Sequence, residues 1–237
     1  MIARYSDLLE FCTDPMCVRR SHKRGRVASM IGVEGGHQTG NSLGVLRLLF
    51  ENGVRYMTLT HNCDNSFATS CVSSGLQSGH DPGLTKFGEA AVSEMNRLGI
   101  LVDLSHVSPN TMRDVLRITE APVIFSHSAT YNLSQHVRNV PDDVLMDLKA
   151  NGGLVMLPAI SLFLDWAHPE GKTVDDLVDH ILHIVNMIGW KHVGIGSDFD
   201  GSTRVLRGLE VCFPTVRTLE RLLTRGPGYI TVAELGR

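Results

Sequence analysis

A chain of 237 residues with 43% hydrophobic and 20% charged residues has the makeup of a globular protein, and one domain over 1–237 is the simplest organisation. Its formal net charge of -3 and the lack of a long basic run exclude nucleic acid or an anionic membrane surface as the main partner. No apolar run reaches the eighteen residues of a membrane span, and the opening "MIARYSDLLEFC" lacks the regions of a secretory signal, which points to the cytoplasm.

In chain order, "RRSHKRGR" at 19–26 reads as the solvated end of a helix. Apolar strands are then predicted at "VASMIGVE" (27–34), "VRYMTLTH" (54–61), "GILVDLSH" (99–106), "APVIFSH" (121–127), "GGLVMLPA" (152–159) and "KHVGIGSDFD" (191–200). Helices fill the intervals. Ser42 caps a helix ending at Asn52-Gly53, and Ser108-Pro109 is a cap followed by proline at the first helical position. Thr173 and Asp176 open a helix whose Val174, Leu177, Val178, Ile181, Ile184, Val185 and Ile188 form one apolar stripe.

Alternating strands and helices with continuously apolar strands imply an α/β fold with a parallel sheet, either doubly wound or a (β/α)₈ barrel. The glycine-rich phosphate loops of open sheets are missing. A polar insertion at 62–83 follows a strand, where barrel enzymes carry substrate loops. The five cysteines include no Cys-x-x-Cys pair, so no zinc knuckle or complete disulfide framework is indicated. A Cys63–Cys71 bridge within the insertion is compatible with an oxidising compartment.

Five predicted strands end on residues able to bind a metal or move a proton: Glu34, His61, His106, His127 and Asp198. Strand ends of a parallel barrel converge on one mouth, so these residues become neighbours. One carboxylate with imidazoles suits Zn²⁺, with Mn²⁺ or Co²⁺ as substitutes, and the two oxygens of Glu34 can bridge two ions. Hydrolysis of an amide or ester is the natural use. The remaining histidines lack a strand-end setting, and His180 and His183 read as structural.

These segments, "IGVEGGH", "YMTLTHN", "LGILVDLSHVS", "APVIFSHS", "RNVPDDVL" and "GIGSDFDG", resemble the successive motifs of the membrane dipeptidase (renal dipeptidase) family. The resemblance runs from about residue 17 onward and implies a zinc metallopeptidase of the amidohydrolase-like barrel class, acting on dipeptides, with dimeric, secreted or lipid-anchored relatives. It implies that Glu34 bridges two zinc ions, that His106 and His127 complete the second zinc site, and that His61 contacts the substrate. Arg138 would hold the substrate's terminal carboxylate, and Asp198 would handle the proton. Cys-Gly units of glutathione conjugates are among the substrates the resemblance suggests.

The family also carries a His-x-Asp strand, and none precedes Glu34 here. The expectation is therefore a barrel of about six strands without its first two β/α units, one metal site from Glu34, His106 and His127, and weakened catalysis. Phe163 stands where some relatives carry a tyrosine beside the substrate carboxylate. Another barrel metallohydrolase, such as a lactonase or deaminase, and an inactive dipeptidase-like scaffold are the alternatives.

Overall fold

The computed structural model describes residues 1–76, 80–202, 206, 207 and 209. Cys212 and the segment 229–237, which reads as part of a closing helix, lie outside the described residues. The chain begins with β1 (Leu9–Phe11), α1 (Pro15–Lys23), β2 (Val27–Ser29) and β3 (Ile31–Glu34). It continues with α2 (Leu43–Glu51), β4 (Val54–Thr58), α3 (Cys71–Leu76), α4 (Lys86–Leu98), β5 (Leu101–Asp103) and α5 (Pro109–Ile118). The remaining elements are β6 (Ile124–Phe125), α6 (Asp142–Asn151), β7 (Leu154–Leu157), α7 (Ser161–Leu164), α8 (Val174–Ile188) and β8 (Val193–Ile195).

Six strands, β3 to β8, form one sheet in strictly sequential order with every pairing parallel. Sequential parallel order with a helix after most strands is the arc of a (β/α)₈-type barrel, as the sequence leads one to expect. The arc curls around its own interior, because residues of its first strand (Gly32, Glu34) and those just after its last (Gly196, Ser197, Asp198) line a common cavity of about 310 Å³.

Helices α1, α2, α4, α5 and α8 start where the sequence supplies an acceptor for the free N–H groups of the first turn, whereas α6 and α7 have no side-chain cap. Ser42 Oγ accepts from Val45 N, Thr85 Oγ1 from Gly88 N and Ser108 Oγ from Thr111 N. At α8, Asp176 Oδ2 accepts from Thr173 N at 2.8 Å while Thr173 Oγ1 accepts from Asp175 N, a reciprocal cap. Gly99 and Gly152 end α4 and α6 at φ 83° and 79°, a left-handed turn that lets the chain drop directly into β5 and β7. All seven stripe residues of α8 are buried, each contributing about 1.5–3 kcal/mol of apolar transfer before entropy is counted.

The structure corrects the sequence reading at three places. The strand expected over 27–34 breaks at Met30, because its two halves have different partners: β2 pairs with β1, and β3 pairs with β4 with a register irregularity between Ile31 and Gly32. A β/α unit made of β1 and α1 therefore precedes β3, where only a helix was expected. The disulfide joins Cys12 to Cys17 rather than Cys63 to Cys71. Cys12 follows β1 directly and Cys17 sits in the first turn of α1, so chain reversal brings them together, whereas Cys63 faces solvent and Cys71 is buried.

Other readings hold in the structure. Arg20, Arg24 and Arg26 of the basic stretch surround the Glu10 carboxylate at the exposed end of α1. His180 is a buried structural residue, accepting from Thr130 N at Nδ1 and meeting Leu164 O at 3.0 Å through Nε2, while His183 pairs with Asp142. Among the described residues, no helix is long and apolar enough to cross a membrane.

The reciprocal cap gives a direct test. Thr173→Ala removes the cap acceptor and the hydroxyl donor to Asp176 while keeping the backbone donor, and should lower unfolding free energy by about 1 kcal/mol in urea titration with an unchanged m-value. No shift in midpoint would show that α8 is held by its apolar stripe alone.

Candidate metal centre

Glu34 is the last residue of β3, and the other candidates stand just past their strands: His61 after β4, His106 after β5, His127 after β6 and Asp198 after β8. The predicted convergence is therefore produced by strand exits rather than by the strands themselves. His106 and Asp198 adopt φ of 69° and 55°, conformations that non-glycine residues rarely take. At His106 the turn is enforced by its own carbonyl, which accepts from Thr60 Oγ1 at 3.0 Å and from Cys71 N at 2.8 Å. Gly196 lets the exit of β8 lie against the backbone before His127; a Cβ there would stand 1.8 Å from the Ser126 carbonyl oxygen.

Three donor atoms meet at one point. His106 Nε2 lies 2.9 Å from His127 Nε2 and 3.1 Å from Glu34 Oε1, and His127 Nε2 lies 3.4 Å from the same oxygen. Contacts with the His106 and His127 rings outweigh burial and hold the Glu34 carboxyl well below the usual carboxylate range. Burial pushes the His106 imidazole down to about 3, so the pair stands as a carboxylate beside a neutral ring.

A neutral imidazole has one N–H, and both rings have an outlet for it on the far side. His106 Nδ1 faces Asn62 Oδ1 at 3.2 Å, and His127 Nδ1 faces Ser126 Oγ at 2.7 Å. With the ring protons on those outer nitrogens, both Nε2 electron pairs face the Glu34 carboxylate, an arrangement that a divalent cation would stabilise; with a proton on Nε2, the same contacts are hydrogen bonds to Glu34. The donor separations of 2.9–3.4 Å run from below to equal to the edges of about 3.3–3.4 Å of a tetrahedral site with bonds of about 2.0–2.1 Å, so one divalent ion could reach all three donors.

Around this point the other candidates fall at graded distances. His61 Nε2 is 4.0 Å from Glu34 Oε2, and its ring centre is 4.5 Å from that of His106. Asp198 lines the cavity with Glu34 and His127, and burial raises its carboxyl above the ordinary value. It heads a short turn without capping it through its side chain, so an N-cap role does not account for it.

Arg138 is 4% exposed, and a hydrogen bond from its Nη2 to the His127 carbonyl at 3.3 Å ties it to the centre. Its Nε has no partner, and among the described residues no carboxylate pairs with it, since Asp143 is taken by Arg113. The guanidinium lies 4.9 Å over the Phe163 ring. His136 stacks on the same ring at 4.8 Å, beside Trp166 at 4.9 Å.

Sequence reasoning missed Asn62, Asp103, Ser126 and His136, although each is adjacent to or within a quoted motif. Cys71 is not an activated nucleophile, because burial pushes its thiol up to about 11.

The model of the membrane dipeptidase family, peptidase family M19, matches residues 1–236. The chain belongs to the membrane dipeptidase family. Within it, the chain is 50% identical over 214 residues to an uncharacterized dipeptidase of Schizosaccharomyces pombe, covering 89% of this chain and 50% of that protein. It is 47% identical over 226 residues to dipeptidase verJ of Clonostachys rogersoniana, covering 95% of this chain and 57% of that one. The chain thus spans about half the length of the curated relatives it matches. A metallopeptidase of Rhodobacter sphaeroides, solved with a phosphinate mimic of the dipeptide L-Ala-D-Ala, superposes with a TM-score of 0.84 at 26% identity. That superposition covers 93% of this chain and 64% of the other. The family match reaches the amino-terminal β/α unit, beyond the residue 17 from which the motifs are recognisable.

The neutral histidines of this region set a pH dependence. Burial and the neighbouring Arg138 charge push His136 down to about 4, below the 6.5 of an unfolded histidine. The unfolded chain therefore binds the extra proton first, so stability is present above pH 6.5 and is lost as pH falls from 6.5 toward 4. In urea titrations across that window, His136→Gln should flatten the fall by about one proton's worth of slope. An unchanged slope would show that other groups carry the acid sensitivity.

Proposed function

We propose that this chain is a zinc-dependent dipeptidase whose centre is built by Glu34, His106 and His127. The reading is supported by the convergence of their donor atoms and by the family to which the chain belongs. The observation that carries it toward dipeptides is the neighbour of that centre: a buried guanidinium, Arg138, bonded to the backbone of a candidate ligand and lacking a counter-anion.

A buried unpaired cation is costly, by several kcal/mol, and a carboxylate is the planar anion that a guanidinium fork fits. A dipeptide carries such a group two bonds beyond its scissile amide. A dipeptide anchored at Arg138 would extend its amide toward the cavity that Glu34, His127 and Asp198 share. Bound zinc would polarise the amide carbonyl and lower the pKa of water.

The chain's own residues do the remaining work. Asp198, with its raised proton affinity, is suited to take a proton from the attacking water and return it to the leaving amine nitrogen. His61, half-exposed beside Glu34, would hydrogen-bond the carbonyl oxygen as negative charge develops on it. Phe163 covers the outer face of the Arg138 guanidinium and offers no hydroxyl to the substrate carboxylate, which leaves recognition of that carboxylate to Arg138. Cys-Gly and L-Ala-D-Ala are substrates of the right class.

Zinc-loaded protein should hydrolyse one or both of these dipeptides, and Glu34→Gln should abolish both zinc retention and turnover. Arg138→Met should lower kcat/KM by roughly a hundredfold, about 3 kcal/mol, on the dipeptide, yet leave the already slow reaction of the dipeptide amide unchanged. Lack of zinc-dependent hydrolysis, or equal losses on acid and amide, would remove the basis for this assignment.

A further inference from the structure

We propose that Asp103 is a positioning residue for the metal centre, acting through Ser126 to fix the ring form in which His127 presents its Nε2 electron pair. The inference rests on the reading of Glu34, His106 and His127 as a metal site, and it adds a residue that touches neither ion nor substrate.

Asp103 ends β5 and is wholly buried. Its carboxylate accepts four hydrogen bonds. Oδ1 receives the backbone N–H of Ser105 at 3.0 Å and of Ser126 at 2.9 Å; Oδ2 receives the hydroxyls of Thr58 at 2.9 Å and Ser126 at 2.5 Å. An ionised carboxylate only accepts, so the Ser126 hydroxyl proton is committed to Oδ2. Ser126 Oγ can then meet His127 Nδ1, 2.7 Å away, only as an acceptor. The ring proton must sit on Nδ1, and Nε2 is left bare toward Glu34 and His106. One carboxylate therefore dictates, two hydrogen bonds away, which nitrogen of His127 can ligate.

The direction of this relay can be reversed without changing its shape. In Asp103→Asn, the two backbone N–H groups at Oδ1 cannot turn round, so the amide oxygen must stay there and the NH₂ group falls at the Oδ2 position. Ser126 Oγ would then accept from that NH₂ group and donate to His127 Nδ1, moving the ring proton to Nε2. A residue that merely staples strands β4, β5 and β6 together would weaken the fold without moving that proton.

The test uses metal-free protein with ¹⁵N-labelled histidine, in which two-bond ¹H–¹⁵N correlations identify the protonated ring nitrogen, together with zinc affinity measured by chelator competition. Wild type should show His127 protonated at Nδ1. Asp103→Asn should show it at Nε2, Ser126→Ala should show a mixture, and both should bind zinc about 10–100-fold more weakly. Thr58→Val removes one of the four bonds outside the relay and should leave tautomer and affinity unchanged.

A folded Ser126→Ala protein that keeps the wild-type tautomer and affinity would overturn the proposal, as would an equal effect of Thr58→Val. If Asp103→Asn does not fold, Ser126→Ala decides alone. Failure of wild type to bind zinc would count against the metal reading, while the tautomer comparison would still judge the relay.

Discussion

The meeting of one carboxylate and two imidazoles at the strand exits is the constraint from which the rest of the site follows. Glu34 Oε1 and two imidazole Nε2 atoms stand 2.9–3.4 Å apart. Local sequence preference could not bring them there, since they come from β3, β5 and β6 with a helix between each pair of strands. Sequential parallel pairing places their exits side by side, and the apolar core beneath keeps the exits from spreading. The placement of the site is thus maintained far from it, by stripes such as the one on α8.

Backbone conformation shows the same division of labour. His106 occupies a left-handed turn that costs about 1–3 kcal/mol for a residue of its kind, and two hydrogen bonds to its carbonyl hold it there. Both donors, Thr60 and Cys71, belong to the stretch that leaves β4. The polar insertion is therefore a support for the centre before it is anything else. Asp81, within it, accepts from Ser108 Oγ and Asn110 N and so pins the far end of the loop to the start of α5, the helix that follows His106.

The fold class was legible because apolar strands and capped helices are local patterns: a stripe at helical spacing or a Thr-x-x-Asp cap carries its meaning within a few residues. Glu34, His106 and His127 were legible because a polar residue closing an apolar run is itself a local anomaly. Asp103 was not, since in "VDLSH" it reads as an ordinary strand residue; its importance arises only when Thr58 and Ser126 arrive on either side. The Cys12–Cys17 pairing escaped for a related reason, depending on a chain reversal between β1 and α1 whose first strand is too short to announce itself. What sequence conveyed was the inventory of candidate ligands that the fold brings together; what it withheld was the layer of polar contacts between elements that orients them.

Two buried charged groups show how differently this chain treats structural and unsatisfied charge. Glu94, nearly buried on α4, is gripped by Arg97 and Arg47 on separate helices, and those two partners hold its carboxyl down to about 2. Its charge is answered within the protein, as packing alone requires. Arg138 is buried more completely, yet burial lowers its proton affinity and the nearest answers are a carbonyl and an aromatic face rather than an anion. The contrast lies in location: Glu94 sits between outer helices, whereas Arg138 lies on the loop from β6 to α6, against the backbone of His127. A fold able to neutralise Glu94 twice over had the means to place a carboxylate beside Arg138. Among the described residues no carboxylate pairs with it, although the charges of Asp103, Asp198 and Glu34 reach it, and that is the physical reason for proposing that a substrate supplies the paired anion.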